Sequence, residues 1–181
     1  MEHIIQEIIN LIVKEKKIHL RGIAKRLSKP HTTVSRALHR LVKESIIDFS
    51  IEGRNKYFTL KKNIKTMQYI YMAEHGKLID VCKKYPAFLV IIEEVTEKTK
   101  EELVILFGSY AKGRAKKESD IDIFIEARDN NLKKEIESIH SKLSVKIGKF
   151  DKNNLLIKEI IKDHVIIKGV EKFYERVGIF E

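Results

Sequence analysis

The chain has 181 residues, of which 43% are hydrophobic, and its 36 Lys and Arg exceed its 26 Asp and Glu by a formal charge of +10. This length suits one large or two small domains with an ordinary packed core. No apolar run approaches the roughly 18 to 20 residues of a transmembrane helix, and the N-terminus lacks the features of a secretory signal. We therefore expect a cytoplasmic protein with no membrane partner.

The positive charge is concentrated in the first third of the chain. Residues 1–62 contain 14 Lys and Arg against 6 Asp and Glu, a net charge of +8, whereas residues 63–181 contain 22 against 20, a net charge of +2. A basic block indicates a nucleic-acid face when it coincides with a fold that can enter a groove of DNA. The order of elements in this segment therefore bears directly on its function.

Three helices followed by a hairpin are predicted in the basic segment. Apolar residues recur at helical spacing in three stretches, and alternating strands then flank a turn rich in turn-forming residues, Glu52-Gly53-Arg54-Asn55. The predicted helices and strands are, in chain order, Ile4–Val13, Leu20–Leu27, His31–Glu44, Ile46–Ile51 and Lys56–Leu60.

This order of elements resembles the winged-helix transcription regulators of prokaryotes. The resemblance implies that residues 1–62 form a DNA-binding domain, with the third helix in the major groove of duplex DNA and the hairpin near the minor groove. An alternative is a winged helix used only for protein contacts or dimerisation, with its lysines forming a solvated face. The residues that would contact DNA are Thr32, Thr33, Ser35, Arg36, His39, Arg40, Lys43, Arg54 and Lys56.

Residues 63–98 are predicted to form a helical connector. Apolar residues at three- and four-residue spacing indicate a helix from Asn63 to Tyr85, and Pro86 separates it from a second helix at Ala87–Lys98. Winged-helix proteins often dimerise through such helices, so the resemblance implies a homodimer.

A turn and two carboxylates follow in the last part of the chain. Leu103–Phe107 and Ile121–Ile125 are predicted buried strands, and Gly108 lets the backbone turn sharply between them. We expect Ser109 to cap a helix that begins at about Tyr110. Residues two apart on a strand share a face, so the carboxylates of Asp120 and Asp122 can converge on one or two Mg²⁺ ions.

The motif Gly-Ser, ten residues, then Asp-x-Asp resembles the signature of the DNA polymerase beta-like nucleotidyltransferases. Its fuller form, from Gly108 to Gly113 and from Ser119 to Asp122, is similar to the minimal nucleotidyltransferase branch. The resemblance implies transfer of a nucleoside monophosphate from a triphosphate such as ATP to a hydroxyl. The catalytic and metal-binding residues would be Asp120 and Asp122, and the nucleotide would be bound by Gly108, Ser109, Lys112 and Arg114. The alternative is that Asp120 merely caps a strand and Asp122 is a solvated edge residue.

The same family normally supplies a third carboxylate from a later neighbouring strand, and this sequence departs from that pattern. The candidate strand, Leu143–Lys149, contains no acid. Asp151 lies about 16 Å beyond Lys146 along an extended strand, and Glu126 lies about 13 Å beyond Asp122. Lys146 is therefore a candidate to neutralise the aspartates in place of a metal, or to contact a phosphate.

The remaining pattern predicts an α/β (α+β) fold with a small mixed sheet over residues 99–181. The further predicted elements are a helix at Asn130–Leu143, a helix at Leu155–Asp163, an apolar run at Val165–Ile167 and a helix at Val170–Val177.

Two functions remain open at this stage. The first is a DNA-binding transcription regulator whose second domain binds Mg²⁺ and a nucleoside triphosphate. The second is a transferase that moves AMP from ATP to a protein, by analogy with antitoxins that are paired with a helical toxin-like partner. Transfer to a small molecule is a third and weaker alternative.

Overall fold

The computed structural model describes residues 2–100 and 103–180 and shows a mixed α/β protein. This confirms the fold class expected from the sequence. The chain divides into two compact units, one running to Gly76 and one from Lys77 to Ile179. The three-part division at residues 62/63 and 98/99 stays a prediction. In the described residues, no helix combines the length and the apolar character needed to cross a membrane.

The first unit contains three helices and a small antiparallel sheet. The sheet has the strand order β1-β3-β2, and Glu52 pairs with Asn55, so Gly53 and Arg54 form a two-residue turn. The elements are α1 (Glu2–Glu15), β1 (Ile18–His19), α2 (Leu20–Leu27), α3 (His31–Lys43), β2 (Ile47–Glu52), β3 (Asn55–Leu60) and the start of α4 (Ile64–Lys84).

Strand β1 was not predicted from the sequence. Ile18 and His19 pair with Phe58 and Tyr57 of β3, which completes the sheet. The His19 side chain also accepts a hydrogen bond of 2.7 Å from the Gly22 backbone N–H, and so caps α2. Two residues are too few to show the alternation by which a strand is recognised in a sequence. Strand β1 is therefore recognised only from its pairing with β3.

A cluster of polar side chains joins the end of α3 to the start of α4. Glu44 accepts a hydrogen bond of 2.7 Å from Arg40, lies 3.5 Å from Lys65, and also accepts a hydrogen bond from the Tyr69 hydroxyl. The hydrogen bonds from Tyr69 and Arg40 lower the pKa of Glu44 from 4.5 to about 2. The ionised carboxylate therefore helps to fix the orientation of α3.

We expect the substitution Glu44→Gln to lower the free energy of unfolding by about 1 kcal/mol at neutral pH, allowing for solvent screening. Because the folded-state pKa is depressed, this stability is present above pH 4.5 and is lost as the pH falls through about 2. Urea denaturation of both proteins across this range should show the difference shrinking in acid. A difference that is the same at pH 3 and pH 7 would contradict this role. The control is Glu52→Gln, which removes an acid whose ion pair with Lys17 is exposed to solvent and therefore contributes little.

The second unit is built on a four-stranded mixed sheet with the order β6-β5-β4-β7. Strands β5 and β6 are parallel, whereas β4 is antiparallel to both of its neighbours. Its elements after α4 are α5 (Pro86–Lys98), β4 (Val104–Phe107), α6 (Gly108–Ala111), β5 (Ile121–Ile125), α7 (Asn130–Glu137), β6 (Leu143–Ile147), α8 (Leu155–Lys162), β7 (Val165–Lys168) and α9 (Val170–Val177).

Helix α7 and strand β6 are both shorter than the sequence predicted. α7 ends at Glu137 rather than at Leu143, because residues 138–142 form the turn that brings the chain back to run parallel to β5. β6 ends at Ile147 rather than at Lys149, and the Gly148 N–H then donates to the Ile125 carbonyl. A parallel pair needs such a crossover, so the predicted helix had to end before the strand began.

Apolar side chains cover both faces of this sheet. One face packs against Phe88, Ile92 and Val95 of α5. On the other face Phe124 contacts Phe150 at a ring distance of 6.3 Å, and Phe150 contacts Phe173 of α9. Because strand side chains alternate, Asp122 lies on the same face as Phe124.

Candidate functional site

The turn after β4 lies directly beside the second aspartate. Strands β4 and β5 pair so that Phe107 is opposite Asp122, which places Gly108 against the Asp122 side chain. Gly108 has a φ of 69°, and a Cβ atom at this position would lie 2.2 Å from Asp122 Oδ2. Only glycine combines this backbone conformation with this close approach.

The prediction that Ser109 caps a helix is wrong. Helix α6 begins at Gly108, its N-cap is Phe107, and no side chain makes a capping hydrogen bond. Because Gly108 is itself the first residue of the helix, α6 begins two residues earlier than expected and Ser109 lies inside its first turn. With four residues, α6 is also too short to supply the field of a helix N-terminus to a phosphate.

The loop after α6 is anchored while its cations stay exposed. Tyr110 packs against Tyr85 and Phe88, with ring distances of 4.8 and 5.7 Å. The backbone N–H of Arg114 donates a hydrogen bond of 2.9 Å to the Ser109 carbonyl. The side chains of Lys112 and Arg114 are exposed to solvent. Both can therefore meet an anion without losing a partner in the core.

The two aspartates differ in their surroundings. Asp120 is exposed just before β5, whereas Asp122 is partly buried within it. Burial, the largest effect, and the charge of Asp120 both raise the pKa of Asp122, against the opposing effects of the Ser144 hydroxyl, which donates a hydrogen bond to it, and of the Lys146 ammonium. Ser144 was not predicted as a site residue, although its place on the Lys146 face of the strand was visible in the alternation of Leu143–Ile147.

Strand β6 brings Lys146 to the face of the aspartates. The parallel register places Ser144 opposite Asp122 and Lys146 opposite Phe124. Ser144 and Lys146 are two apart and share this face, and Lys146 is exposed. The strand expected to carry a third acid therefore presents a lysine.

The segment that contains these strands, the turn and the two aspartates is similar in sequence to known proteins. The sequence profile described as Polymerase beta, Nucleotidyltransferase matches residues 89–172. A protein from Methanocaldococcus jannaschii, provisionally named a protein adenylyltransferase, is 33% identical over 82 residues, which cover 42% of this chain and 76% of that relative. The chain belongs to the polymerase beta nucleotidyltransferase family. No solved structure matches the chain.

The residues of this nucleotidyltransferase domain do not fit a resident pair of metal ions. In residues 2–100 and 103–180, no three Asp, Glu, His or Cys side chains come together as a metal-binding group. Glu126 lies 3.6 Å from Lys172 and 3.5 Å from Arg176, and Asp151 accepts a hydrogen bond from the Asn153 N–H. Neither Glu126 nor Asp151 therefore forms a metal-binding group with Asp120 and Asp122. Their separation along the extended strands had predicted this.

Six of the nine residues predicted to contact DNA line two separate grooves of the first unit. Ser35, His39, Arg54 and Lys56 line a groove of about 360 Å³ between α3 and the β2–β3 hairpin. Thr33 and Arg36 line another, of about 400 Å³, beside α1. The exposed members of the set are Thr32, Thr33, Ser35, Arg36, His39, Lys43, Arg54 and Lys56.

Two features of this surface were not foreseen. Arg40, one of the residues predicted to contact DNA, donates a hydrogen bond of 2.7 Å to Glu44. The first groove also contains Arg21 and the partly exposed ring of Phe49, over which Lys56 Nζ lies at 4.5 Å from the ring centroid. These residues come from three elements, so their meeting depends on the fold and left no local signal in the sequence.

Proposed function

We propose that this protein is a DNA-binding transcription regulator whose nucleotidyltransferase domain binds a nucleoside triphosphate, with ATP as the first candidate. The observation that carries the nucleotide part is the close approach of Gly108 to Asp122. It brings a residue without a side chain against the Asp122 carboxylate, two residues from Asp120, and Lys112 and Arg114 are exposed on the loop that follows. Magnesium enters this proposal with the triphosphate, as part of the ligand.

The DNA-binding part rests on the shape and charge of the first unit. Three helices precede an antiparallel hairpin, and the groove between α3 and that hairpin is lined by Arg21, Arg54 and Lys56. Such a groove suits a phosphate backbone, because lysine and arginine supply most protein contacts to it. We propose that this unit is a winged helix and that α3 is its reading helix.

A homodimer forms part of the same proposal. Ile79 of α4 and Leu89 and Val90 of α5 are 53%, 45% and 59% exposed, so these helices carry large apolar side chains that the described chain does not cover. A second copy of the chain would cover them and place two reading helices on one duplex. Light scattering of the purified protein would then give twice the chain mass of 21.2 kDa.

We expect the double substitution Asp120→Asn/Asp122→Asn to weaken binding of magnesium-ATP at least about tenfold, because two carboxylate ligands of the accompanying ion lose their charge. Isothermal titration calorimetry measures the change. Asp151→Asn, in the same unit but away from the two aspartates, is the matched control and should bind as the unaltered chain does. Equal affinity in all three proteins would refute the assigned site.

Transfer of AMP to a protein is a second candidate, and the name of the Methanocaldococcus jannaschii relative favours it. In this reaction an acceptor hydroxyl oxygen bonds to the α-phosphorus of ATP, pyrophosphate leaves, and the hydroxyl proton passes to solvent. A helical toxin-like partner would be the acceptor. ATP labelled at the α-phosphate should then label that partner, whereas ATP labelled at the γ-phosphate should not. Labelling that persists in the double aspartate variant would exclude this site as its source.

A further inference from the structure

The position of Lys146 sets this site apart from a purely acidic one. It lies on β6 opposite Phe124, two residue pairs further along the parallel register than the pair of Asp122 with Ser144. Its side chain is on the aspartate face and is exposed. It is therefore not part of the packed core, and its distinctive property is a positive charge near the Asp122 carboxylate.

A third carboxylate at this place would raise the negative charge of the site and recruit a further divalent ion. A lysine has the opposite effect, because its ammonium repels a divalent cation and already balances part of the charge of Asp122. An ammonium group is also a well-attested partner of phosphate oxygens, acting as a point charge with three donors.

We infer that the Lys146 ammonium takes the place of a second divalent ion at this site. This inference rests on the proposed binding of a triphosphate, which would then be held between the side chain of Lys146 and the single ion that accompanies the nucleotide. The free protein binds divalent ions weakly, and its nucleotide complex contains one such ion.

Binding of Mn²⁺ to the nucleotide-free protein, followed by electron paramagnetic resonance, tests the metal part directly. We expect the substitution Lys146→Asp to tighten Mn²⁺ binding at least about tenfold, because it replaces a repelling charge with a ligand. Lys149→Asp makes the same change of net charge five residues beyond Ser144 and should leave Mn²⁺ binding near that of the unaltered chain.

Lys146→Gln keeps a side chain of similar length and guards against a folding defect in the Asp variant. It should tighten Mn²⁺ binding by a smaller factor than Lys146→Asp. Two tightly bound Mn²⁺ ions per unaltered chain would overturn the inference. Equal gains in the Lys146→Asp and Lys149→Asp variants would overturn it as well, because the effect would then be one of total charge.

The nucleotide complex gives a second readout that separates this inference from the proposed function. With ATP at saturation, we expect one Mn²⁺ per unaltered chain and an affinity for ATP about tenfold lower in the Lys146→Gln variant. If the unaltered chain fails to bind ATP, the proposed function is wrong, and the Mn²⁺ titration of the free protein still decides the role of Lys146. If ATP binds with two Mn²⁺ ions, the proposed function stands and the inference fails.

Discussion

Replacing Gly108 with alanine is expected to lower the free energy of unfolding of the second unit by about 3 kcal/mol. Part of this loss comes from the left-handed backbone conformation, which costs a residue with a Cβ atom about 1 to 2 kcal/mol. The remainder comes from the contact at 2.2 Å, which forces Asp122 or the turn itself to move. Because the carboxylate is displaced, affinity for magnesium-ATP should fall at least about tenfold as well.

Gly113 provides the control for this experiment in the same unit. It has a φ of 63°, but the nearest group to a Cβ atom there is Lys84 Nζ at 3.4 Å, the end of a flexible side chain. We expect Gly113→Ala to show only the backbone cost, about 1 kcal/mol. Urea denaturation should therefore show a larger loss of stability in Gly108→Ala than in Gly113→Ala, and titration calorimetry should show a larger loss of affinity for magnesium-ATP. Equal losses in both would show that the contact with Asp122 contributes nothing.

Affinity for duplex DNA is expected to fall roughly a hundredfold between about 50 and 200 mM salt, if four phosphates are neutralised. The groove between α3 and the hairpin supplies Arg21, Arg54 and Lys56 for these contacts, and Arg36 lies on the neighbouring surface of α3. We expect Arg54→Glu and Arg36→Glu each to weaken binding by about tenfold or more and to flatten the salt dependence. Gel-shift titrations with a duplex of mixed sequence measure both quantities.

Lys134→Glu makes the same change of charge on an exposed position of α7 and serves as the control. It should leave DNA affinity close to that of the unaltered chain. Binding that is insensitive to salt, or arginine variants that bind as well as the control, would remove the basis for a DNA-binding role. Arg40 is a poor probe for this purpose, because removing it also breaks its hydrogen bond to Glu44.

The elements that the sequence predicted well are those with strong local signals. The hairpin had alternating strands around a Gly-containing turn, and Asp122 had buried apolar residues on both sides. The alternation of apolar and polar residues along Leu143–Ile147 also predicted that Ser144 and Lys146 share one face of their strand. These features depend on neighbours a few residues apart, so one sequence is enough to recognise them.

What the sequence missed depends on contacts between distant residues. The start of α6 at Gly108, which removes the predicted capping role of Ser109, follows from a left-handed residue packed against Asp122 on another strand. The pairing of β1 depends on β3, nearly 40 residues later in the chain. Composition and periodicity carry no information about such pairings. The hydrogen bond from Arg40 to Glu44, by contrast, joins residues four apart, a spacing at which opposite charges on a helix are expected to pair.

The pairing of Phe107 with Asp122 has a consequence for how the chain tolerates change. A slip of one residue between β4 and β5 would turn Asp122 towards the face where Ile121 and Ile123 are 2% and 0% exposed. Burying a carboxylate there would be costly, so the apolar core excludes registers that misplace the aspartate. Insertions in the exposed part of the loop between the strands leave that pairing unchanged. The length of ten residues between Ser109 and Asp120 should therefore matter less for the site than the pairing of the strand ends at Phe107 and Asp122.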